Sequence, residues 1–583
     1  MFKLNLFKKN AHGRGGPAGR KSPDATFPVR VRALLRNRSG WGIFALVWLA
    51  AWVFSLAGAD RGARLPAVGQ PAPAEITAAV DFDVPDSPGE AADPDRKPTK
   101  PESRRAIRAG TVLVEQGRLI TEKDLNLLRL NDKAIRSQIP MAGRIAGAGG
   151  NAVLLFTGWI GCAGILWLLQ PGIFKDRPAL LLFLVVSSVT LALCKWSVVS
   201  LLIRDSLPAY APYLMMPVAL APMLAAILSG RVPALAAGFW TAFAASVYAH
   251  YRMEVFAAGF AATALLLLAA GRFRTRRRIM GGGLWIGGVS ALCTVGAALV
   301  HGAPAIAILQ YAAISLASGF VVALITLVLL PLLELGFGIT TDISLLELCD
   351  MQHPLLKRLA IEAPGTYHHS LMLANLAEAA ADVVGANTLL VRVSAYFHDI
   401  GKLVKPGFFI ENIQLADNPH DHLTPSMSTI VITAHVKEGL DLARSHKLPK
   451  PVIDAILQHH GTGMVSYFYH KASHQQELNF SGEARVRQDQ FRYPGPKPRT
   501  RETAILCIAD AVEAASRSLE KTSPRHVENM VNEIVAARIE DGQLDACPLT
   551  LAELTSVRKA LIFTLVNMLH ARLPYPADET KSQ

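Results

Sequence analysis

Cysteine is scarce in this chain and is not paired. The 583 residues contain six cysteines, none of them in a CxxC spacing, and residues 60–150 contain none. This distribution excludes a disulfide framework and a zinc knuckle, so we interpret all six as free thiols. Charged residues make up only 18% of the chain and hydrophobic residues 51%. Long apolar runs fill the first part, and charge returns after about Ser344, which predicts a membrane part and a soluble part.

Ionisable residues are almost missing from the apolar runs. Lys195 is one exception, and a charge inside a membrane span is a candidate for function. We prefer the interpretation that this lysine extends toward the end of its span, marked by Arg204 and Asp205. No series of buried acids or bases marks a path for protons or ions, which argues against a transporter.

Eight apolar segments are long enough to predict membrane-spanning helices. The first is Trp41–Ala59, which we interpret as an uncleaved anchor because its basic leader is too long for an ordinary signal peptide. The alternative is cleavage at Ala57-Gly58-Ala59, which resembles a signal-peptidase site. The other seven segments are about 152–170, 178–203, 208–228, 231–249, 253–270, 279–301 and 305–334.

The positive charge predicts the orientation. Much of the net charge of +13 lies in the first forty residues and in "RFRTRRR" at Arg272–Arg278, and both flank apolar segments. The positive-inside rule explains these clusters better than binding of a nucleic acid polymer does. It predicts that the N-terminus, the arginine cluster and the C-terminal part are cytoplasmic.

The predicted fold is all-α: a polytopic helical membrane domain of about eight spans, followed by a cytoplasmic all-helical domain. Within the polar loop, the Pro/Asp-rich first half is expected to be mobile. The second half shows a strand-like run and then a helix opened by Thr121. The expected divisions are a basic tail 1–40, an anchor 41–59, an extracytoplasmic region 60–150, a seven-span block 151–335, a coupling segment 336–364, a catalytic domain 365–575 and a polar tail 576–583.

Histidines and aspartates mark the ends and apolar faces of several predicted helices. His398 and Asp399 end "TLLVRVSAYFHD", and Gly401 is expected to close that helix. An unpaired imidazole or carboxylate on a buried face is costly, so converging helices predict a metal site. A core histidine or a capping aspartate remains the alternative for each residue alone. The other residues of the pattern are His368, His369, His435, His459, His460 and Asp510.

Several long segments together resemble a known family. They include "EAPGTYHHSLMLANLAEAAA", "HDIGKLVKPGFFIEN", "NPHDHLTPSMSTIVITAHVKEG" and "DGQLDACPLTLAEL". In this order they closely resemble the seven-transmembrane HD-domain phosphodiesterases of the PgpH type, which hydrolyse cyclic di-AMP. The resemblance runs from about residue 150 to the end. The sequence "HHGTG" stands where HD-GYP enzymes carry a GYP signature, which argues against that branch.

The resemblance implies a site with two divalent metal ions. His369, His398, Asp399 and Asp510 would hold one ion, and His435, His459 and His460 the other, with Asp399 bridging both. His368 would be a neighbour and not a ligand. Iron or manganese is favoured over zinc. One departure is the extracytoplasmic region, which is shorter than is usual in the family and puts a sensing role there in doubt.

The implied reaction is hydrolysis of cyclic di-AMP to linear pApA by a metal-activated hydroxide. Lys402 is expected to contact a phosphate oxygen, and its alternative role is a cation at a helix C-terminus. Tyr493 and Lys497, in "YPGPKP", are weaker candidates for substrate contact.

Two other functions remain open from the residues alone. One is an HD phosphohydrolase that acts on another cyclic dinucleotide or nucleotide. The second is a membrane receptor that binds nucleotide without catalysis. The expected location is the cytoplasmic (inner) membrane. Membrane lipid is an expected partner, and a homodimer and an extracytoplasmic signal ligand are left open.

Overall fold

Helices form nearly all the regular structure in the computed structural model, which confirms the predicted all-α class. The chain divides into two compact units, Met1–Ala221 with Leu235–Phe260, and Pro222–Ala234 with Ala261–Gln583. The structure describes residues 38–57, 72, 75–85, 104–115, 117–138, 140–201, 214–269, 273–413, 417–479, 486–519 and 523–570.

Each of the eight predicted apolar segments contains a helix. Among the described residues, four helices are long and apolar enough to cross a membrane: Met141–Leu169, Arg177–Ser200, Arg276–Val300 and Ala305–Phe337. In the segment expected at 208–228, the described helix covers only its end, and residues 202–213 lie outside the described part. In the part of the chain that the structure describes, the first nine helices are α1 Arg38–Leu56, α2 Glu122–Gln138, α3 Met141–Leu169, α4 Arg177–Leu201, α5 Leu220–Leu228, α6 Arg231–Tyr248, α7 Met253–Ala269, α8 Arg276–Val300 and α9 Ala305–Phe337.

Tryptophans attach α1 to α3 in the first unit. The indole nitrogens of Trp48 and Trp52 each donate to a backbone carbonyl of α3, at 3.1 Å. In return, Trp159 of α3 donates to the carbonyl of Phe44 at 2.9 Å. These bonds satisfy the one polar group of each indole inside an apolar contact.

Lys195 also has a structural contact in this unit. Its Nζ lies 3.4 Å from the carbonyl oxygen of Ser55, near the C-terminus of α1, and 5.5 Å from the ring centroid of Tyr248. Both contacts suit a cation, since the end of a helix and the face of an aromatic ring are electronegative. They favour a structural role. The expected direction of the side chain, toward Arg204 and Asp205, refers to residues outside the described part.

A small folded module occupies part of residues 72–138. Two antiparallel pairs form, β1 (Ile76–Thr77) with β4 (Val112–Val114), and β2 (Phe82–Pro85) with β3 (Arg104–Ile107). Thr121 opens α2, and its Oγ1 accepts from the amide of Asp124 at 3.3 Å, as predicted. The strand β2 corrects the expectation that the whole Pro/Asp-rich half is mobile, because β3 pairs with it and Phe82 is buried. Residues 1–37 and 86–103 lie outside the described part.

Glycines bring α8 and α9 into close contact in the second unit. A Cβ on Gly319 would lie 2.3 Å from the carbonyl oxygen of Gly283 and from the amide of Gly287. Thr294 and Ser315 share a hydrogen bond of 3.1 Å across the same pair. Small residues allow such backbone approach between membrane helices, where packing and not water exclusion favours association.

The rest of the second unit is helical and surrounds a large apolar core that includes Leu373, Phe397 and Ile505. The predicted coupling segment contains two short helices, and a new helix begins at Pro364, with proline at its first position. The helices are α10 Asp342–Leu348, α11 Pro354–Glu362, α12 Pro364–Asp382, α13 Thr388–Phe397, α14 Pro425–Ser445, α15 Lys450–Gln458, α16 Ser466–Asn479, α17 Arg501–Ser516, α18 Pro524–Glu540 and α19 Leu551–His570.

Gly319→Ala should separate α8 from α9, because the new methyl group has no space. We expect a loss of about 1–3 kcal/mol of stability, as is typical of overpacking. Gly288→Ala, on α8, is the matched control, because its Cβ would meet nothing within 4 Å. Thermal unfolding of the full chain in detergent compares the two variants. Equal midpoints would contradict the close contact.

Candidate metal centre

Five helices bring the seven predicted ligands together. His369 lies on α12, His435 on α14 and Asp510 on α17, while the others directly follow α13 and α15. All except His460 are at most 6% exposed. We call His369, His398 and Asp510 the first cluster, and His435, His459 and His460 the second cluster. Within each cluster the ligand atoms lie within 4.8 Å of one another, and Asp399 meets the same limit with the second cluster.

Residues around the His398-Asp399 pair fix its position. Asn387 caps α13 by accepting from the amide of Leu390, and Phe397 and Ile400 anchor both sides of the pair in the core. Gly401 was expected to close α13. This is wrong: α13 ends at Phe397, and Gly401 lies in the 3-10 helix Ile400–Val404 without a positive φ. Its lack of a side chain instead permits contact with α14, since a Cβ would lie 1.9 Å from the carbonyl oxygen of His435.

The first cluster is held by short contacts between imidazole and carboxylate. The Nε2 of His369 lies 3.0 Å from Oδ1 of Asp510 and 3.2 Å from Nε2 of His398. Oδ2 of Asp399 lies 3.2 Å from Nε2 of His398. Four atoms that can bind a metal ion therefore lie close together: Nε2 of His369, Nε2 of His398, Oδ1 of Asp510 and Oδ2 of Asp399.

The second cluster approaches the opposite oxygen of the same carboxylate. Oδ1 of Asp399 lies 3.4 Å from Nε2 of His435 and 3.6 Å from Nε2 of His459. The Nδ1 of His460 lies 3.4 Å from Oδ2 of Asp510, so the third imidazole is close to both clusters. Asp399 thus turns one oxygen toward each cluster.

The hydrogen bonds of the imidazoles show that their Nε2 atoms are suited to bind cations. Because a carbonyl oxygen can only accept, an Nδ1 bonded to one carries the hydrogen, and Nε2 of the neutral ring is left as a bare lone pair. Lone pairs from both clusters therefore converge, and Oδ1 of Asp399 is buried without a hydrogen-bond partner. Divalent cations would satisfy all of these atoms. Three imidazoles have this Nδ1 bond, at 2.7–2.8 Å: His398 to Ala395, His435 to Ile432 and His459 to Ile456.

The charges of the two clusters differ. Burial alone would lower the pKa of His398, but the carboxylates of Asp399 and Asp510 outweigh it and raise the pKa to about 10, so a cation at Nε2 of this ring would have to displace a proton. Burial lowers the pKa of His435 to about 4, despite the carboxylate of Asp399. Burial would raise the pKa of Asp399, yet the charges of His398 and Lys402 hold it well below its ordinary value. The acids of the site are thus ionised and available as ligands.

Lys402 lies inside the site, but its contacts are with carboxylates. Its Nζ is 2.7 Å from Oδ2 of Asp399 and 2.7 Å from Oε1 of Glu411, and its side chain is 13% exposed. Glu411 also accepts from the hydroxyl of Thr366 at 3.0 Å. The backbone of Glu411 packs on Gly365, because a Cβ on Gly365 would lie 1.8 Å from the carbonyl oxygen of Glu411. This network holds the ammonium group beside the bridging carboxylate.

The remaining predicted residues lie at different distances from the centre. The ring of Tyr493 lies 4.2 Å from that of His460 and 6.0 Å from that of His435, centroid to centroid. Lys497 instead contacts Asp545, at 3.6 Å. His368 is exposed beside Tyr367 and belongs to neither cluster.

The sequence analysis missed two carboxylates. Glu513 contacts Nδ1 of His369, and Glu411 contacts Lys402. A signal existed for Glu513: it follows Asp510 by three residues on α17, so the two side chains share one helix face. For Glu411, in the irregular "GFFIEN", periodicity gave no signal.

Two parts of the chain match known protein families. Residues 146–341 match the family described as "7TM receptor with intracellular HD hydrolase", and residues 366–515 match the family "HD domain". Over these two ranges the chain resembles membrane proteins that carry an intracellular HD hydrolase domain. It is therefore a multi-pass membrane protein, and the predicted resemblance is confirmed.

Two relatives have names that state an activity. The chain is 40% identical over 318 residues to "Cyclic-di-AMP phosphodiesterase PgpH" of Bacillus subtilis, covering 54% of this chain and 44% of the relative. It is 40% identical over 309 residues to the protein of the same name in Listeria monocytogenes, covering 53% and 42%. The chain thus spans less than half the length of these two relatives.

A solved structure of an HD domain is also similar to part of this chain. The HD domain of L. monocytogenes PgpH in complex with cyclic-di-AMP is 45% identical to this chain. The match covers 38% of this chain and 100% of the other, with a TM-score of 0.36.

Gly401→Ala should displace the His398-Asp399 pair from α14, because the new methyl group would overlap the backbone of His435. We expect weaker metal retention together with about 1–3 kcal/mol lower stability. Gly407→Ala is the control, since a Cβ there meets nothing within 4 Å. Metal content after dialysis, measured by mass spectrometry, tests this. Equal metal content in both variants would show that the close contact does not hold the site together.

Proposed function

We propose that the chain is a metal-dependent phosphodiesterase that hydrolyses cyclic di-AMP to linear pApA. The observation that carries this proposal is the position of Asp399, whose two carboxylate oxygens face two separate histidine clusters. A carboxylate so placed suits a pair of cations about 3.5–4 Å apart, which is the arrangement of many phosphoester hydrolases. The activity for which the two PgpH relatives are named supports the choice of substrate.

The ligand assignment is part of the proposal. His369, His398 and Asp510 would hold one cation, and His435, His459 and His460 the other, with Asp399 shared. Two bound cations would supply an activated water and compensate the negative charge that develops on phosphate. Imidazole and carboxylate ligands suit iron and manganese, and the family resemblance favours these two metals over zinc.

Residues beside the clusters would orient the substrate. Lys402 is held by Asp399 and Glu411, so its ammonium group would present a fixed positive charge to a phosphate oxygen. Tyr493 stacks on His460 with an interplanar angle of 32° and offers an aromatic face to a base. Lys497 contacts Asp545, so we give it a smaller part in binding.

We also propose that residues 336–364 couple the membrane part to the catalytic domain, 365–575. Arg274 contacts Asp342 at 2.9 Å and Arg276 contacts Glu347 at 2.5 Å, so the basic segment at the start of α8 is paired with α10. In turn, α10 packs against α13, whose end carries His398 and Asp399. The short contact of Glu334 with Thr341 joins the end of α9 to the start of α10.

The proposed location is the cytoplasmic (inner) membrane, with the N-terminus and the catalytic domain in the cytoplasm. This orientation rests on the basic segments, which the positive-inside rule keeps on the cytoplasmic side. The cyclic dinucleotide and membrane lipid are the proposed partners. A homodimer and an extracytoplasmic signal ligand remain hypotheses that stand on the family alone.

Purified full chain in detergent, supplied with Mn²⁺, should convert cyclic di-AMP to pApA. Asp399→Ala should lower the rate at least about 1,000-fold, because several kcal/mol of transition-state stabilisation would be lost with the cations. Asp382→Ala, an exposed carboxylate at the end of α12, is the control and should keep the rate. Chromatography of the products provides the measurement.

The alternatives give different results in the same assay. Faster hydrolysis of cyclic di-GMP would assign another cyclic dinucleotide. Binding of cyclic di-AMP without turnover would identify a receptor. A normal rate in Asp399→Ala would refute the proposed site.

A further inference from the structure

One imidazole of the two clusters is anchored differently from its neighbours. The Nδ1 atoms of His398, His435 and His459 each contact a neutral carbonyl in their own segment. The Nδ1 of His369 instead contacts the carboxylate of Glu513, through a short hydrogen bond. Among these four imidazoles, only His369 therefore has a charged acceptor at Nδ1.

Glu513 is itself firmly fixed. It is 5% exposed, and it lies on α17 three residues after Asp510. Its second oxygen accepts from Nη2 and Nε of Arg517, at 2.9 and 3.0 Å. Burying an ionised carboxylate is costly unless it is paired, and here one partner is a guanidinium group and the other an imidazole. Helix α17 therefore carries both Asp510 and the group that orients His369.

A carboxylate bonded to Nδ1 has two effects on an imidazole. It fixes the ring and the tautomer, so that Nε2 points at the cluster as an acceptor. It also increases the electron density of the ring, which strengthens Nε2 as a ligand. A neutral carbonyl bonded to Nδ1 also fixes the ring and the tautomer, but it increases the electron density of the ring less.

We propose that Glu513 is a positioning residue for the cation of the first cluster, and that it makes this cation the more tightly held of the two. The inference rests on the two-cation site of the proposed function. Glu513 would touch neither substrate nor cation and would act through His369. Removing its charge should then weaken one cation selectively and leave the cation of the second cluster in place.

The test uses Glu513→Gln in the full chain, in detergent, loaded with Mn²⁺ alone and then dialysed against increasing chelator. Glutamine keeps the shape and an acceptor oxygen but removes the charge. We expect retention of one of the two ions to fall about 10- to 100-fold, the usual effect of losing such a partner. The electron paramagnetic resonance signal should change from a coupled pair to a single Mn²⁺.

Two further variants separate positioning from general damage. Glu513→Asp keeps the charge and should restore part of the lost retention. Glu378→Gln removes a carboxylate that pairs with Arg392 on α12 and α13, away from both clusters, and should retain two ions. Circular dichroism shows whether each variant keeps its helical content.

Two results would overturn the inference: Glu513→Gln retaining both ions as the unchanged chain does, or losing both equally. Failure of the inference about Glu513 can be distinguished from failure of the proposed function. If the unchanged chain binds two ions but cleaves no cyclic dinucleotide, the proposed reaction fails and the role of Glu513 stands. An unchanged chain that binds no Mn²⁺ would refute both.

Discussion

The arrangement of the catalytic part depends on one buried carboxylate. Asp399 is 1% exposed and has imidazole nitrogens near both of its oxygens. On the Oδ1 side, Nε2 of His435 and of His459 face the carboxylate, and a lone pair and a carboxylate repel one another without positive charge between them. The fold keeps this arrangement because its helices are fixed by a core outside the site. Cations would turn the same repulsion into coordination.

Backbone contacts explain how five helices approach so closely. Gly401 and Gly439 lie where the segment after α13 meets α14, and Gly365 lies where the loop of Glu411 meets α12. Each contact leaves no space for a side chain, so the ligands are positioned by backbone on backbone. Carboxylates then fix the long side chains: Glu411 holds Lys402, and Glu513 holds His369. Sites of this kind need such support to keep their donor atoms in place.

Most of the site was predictable because its residues interrupt apolar helical patterns. His369, His435 and Asp510 are polar residues at buried positions, and the pattern with the family resemblance identified them. Residue spacing could not predict contacts between segments that are distant in the sequence. The role of Gly401 was misassigned, since helix closure is a local signal and contact with α14 is not. Glu513 was missed because a glutamate near the end of a helix is ordinarily solvated.

The membrane part shows the same limit. Hydropathy located every apolar segment, but it did not give the boundaries, since α3 begins at Met141 and not near residue 152. It also gave no sign of strand β2, whose partner follows after about twenty residues. Periodicity reports one element at a time, whereas pairing is decided by contacts between elements.

The central claim is that two neighbouring cations share Asp399. Anomalous diffraction from crystals of the Mn²⁺-loaded full chain tests it most directly. The account predicts two peaks about 3.5–4 Å apart, one on each side of the Asp399 carboxylate, with His369 and His435 at different peaks. A single peak, or two peaks with His435 turned away from Asp399, would contradict it.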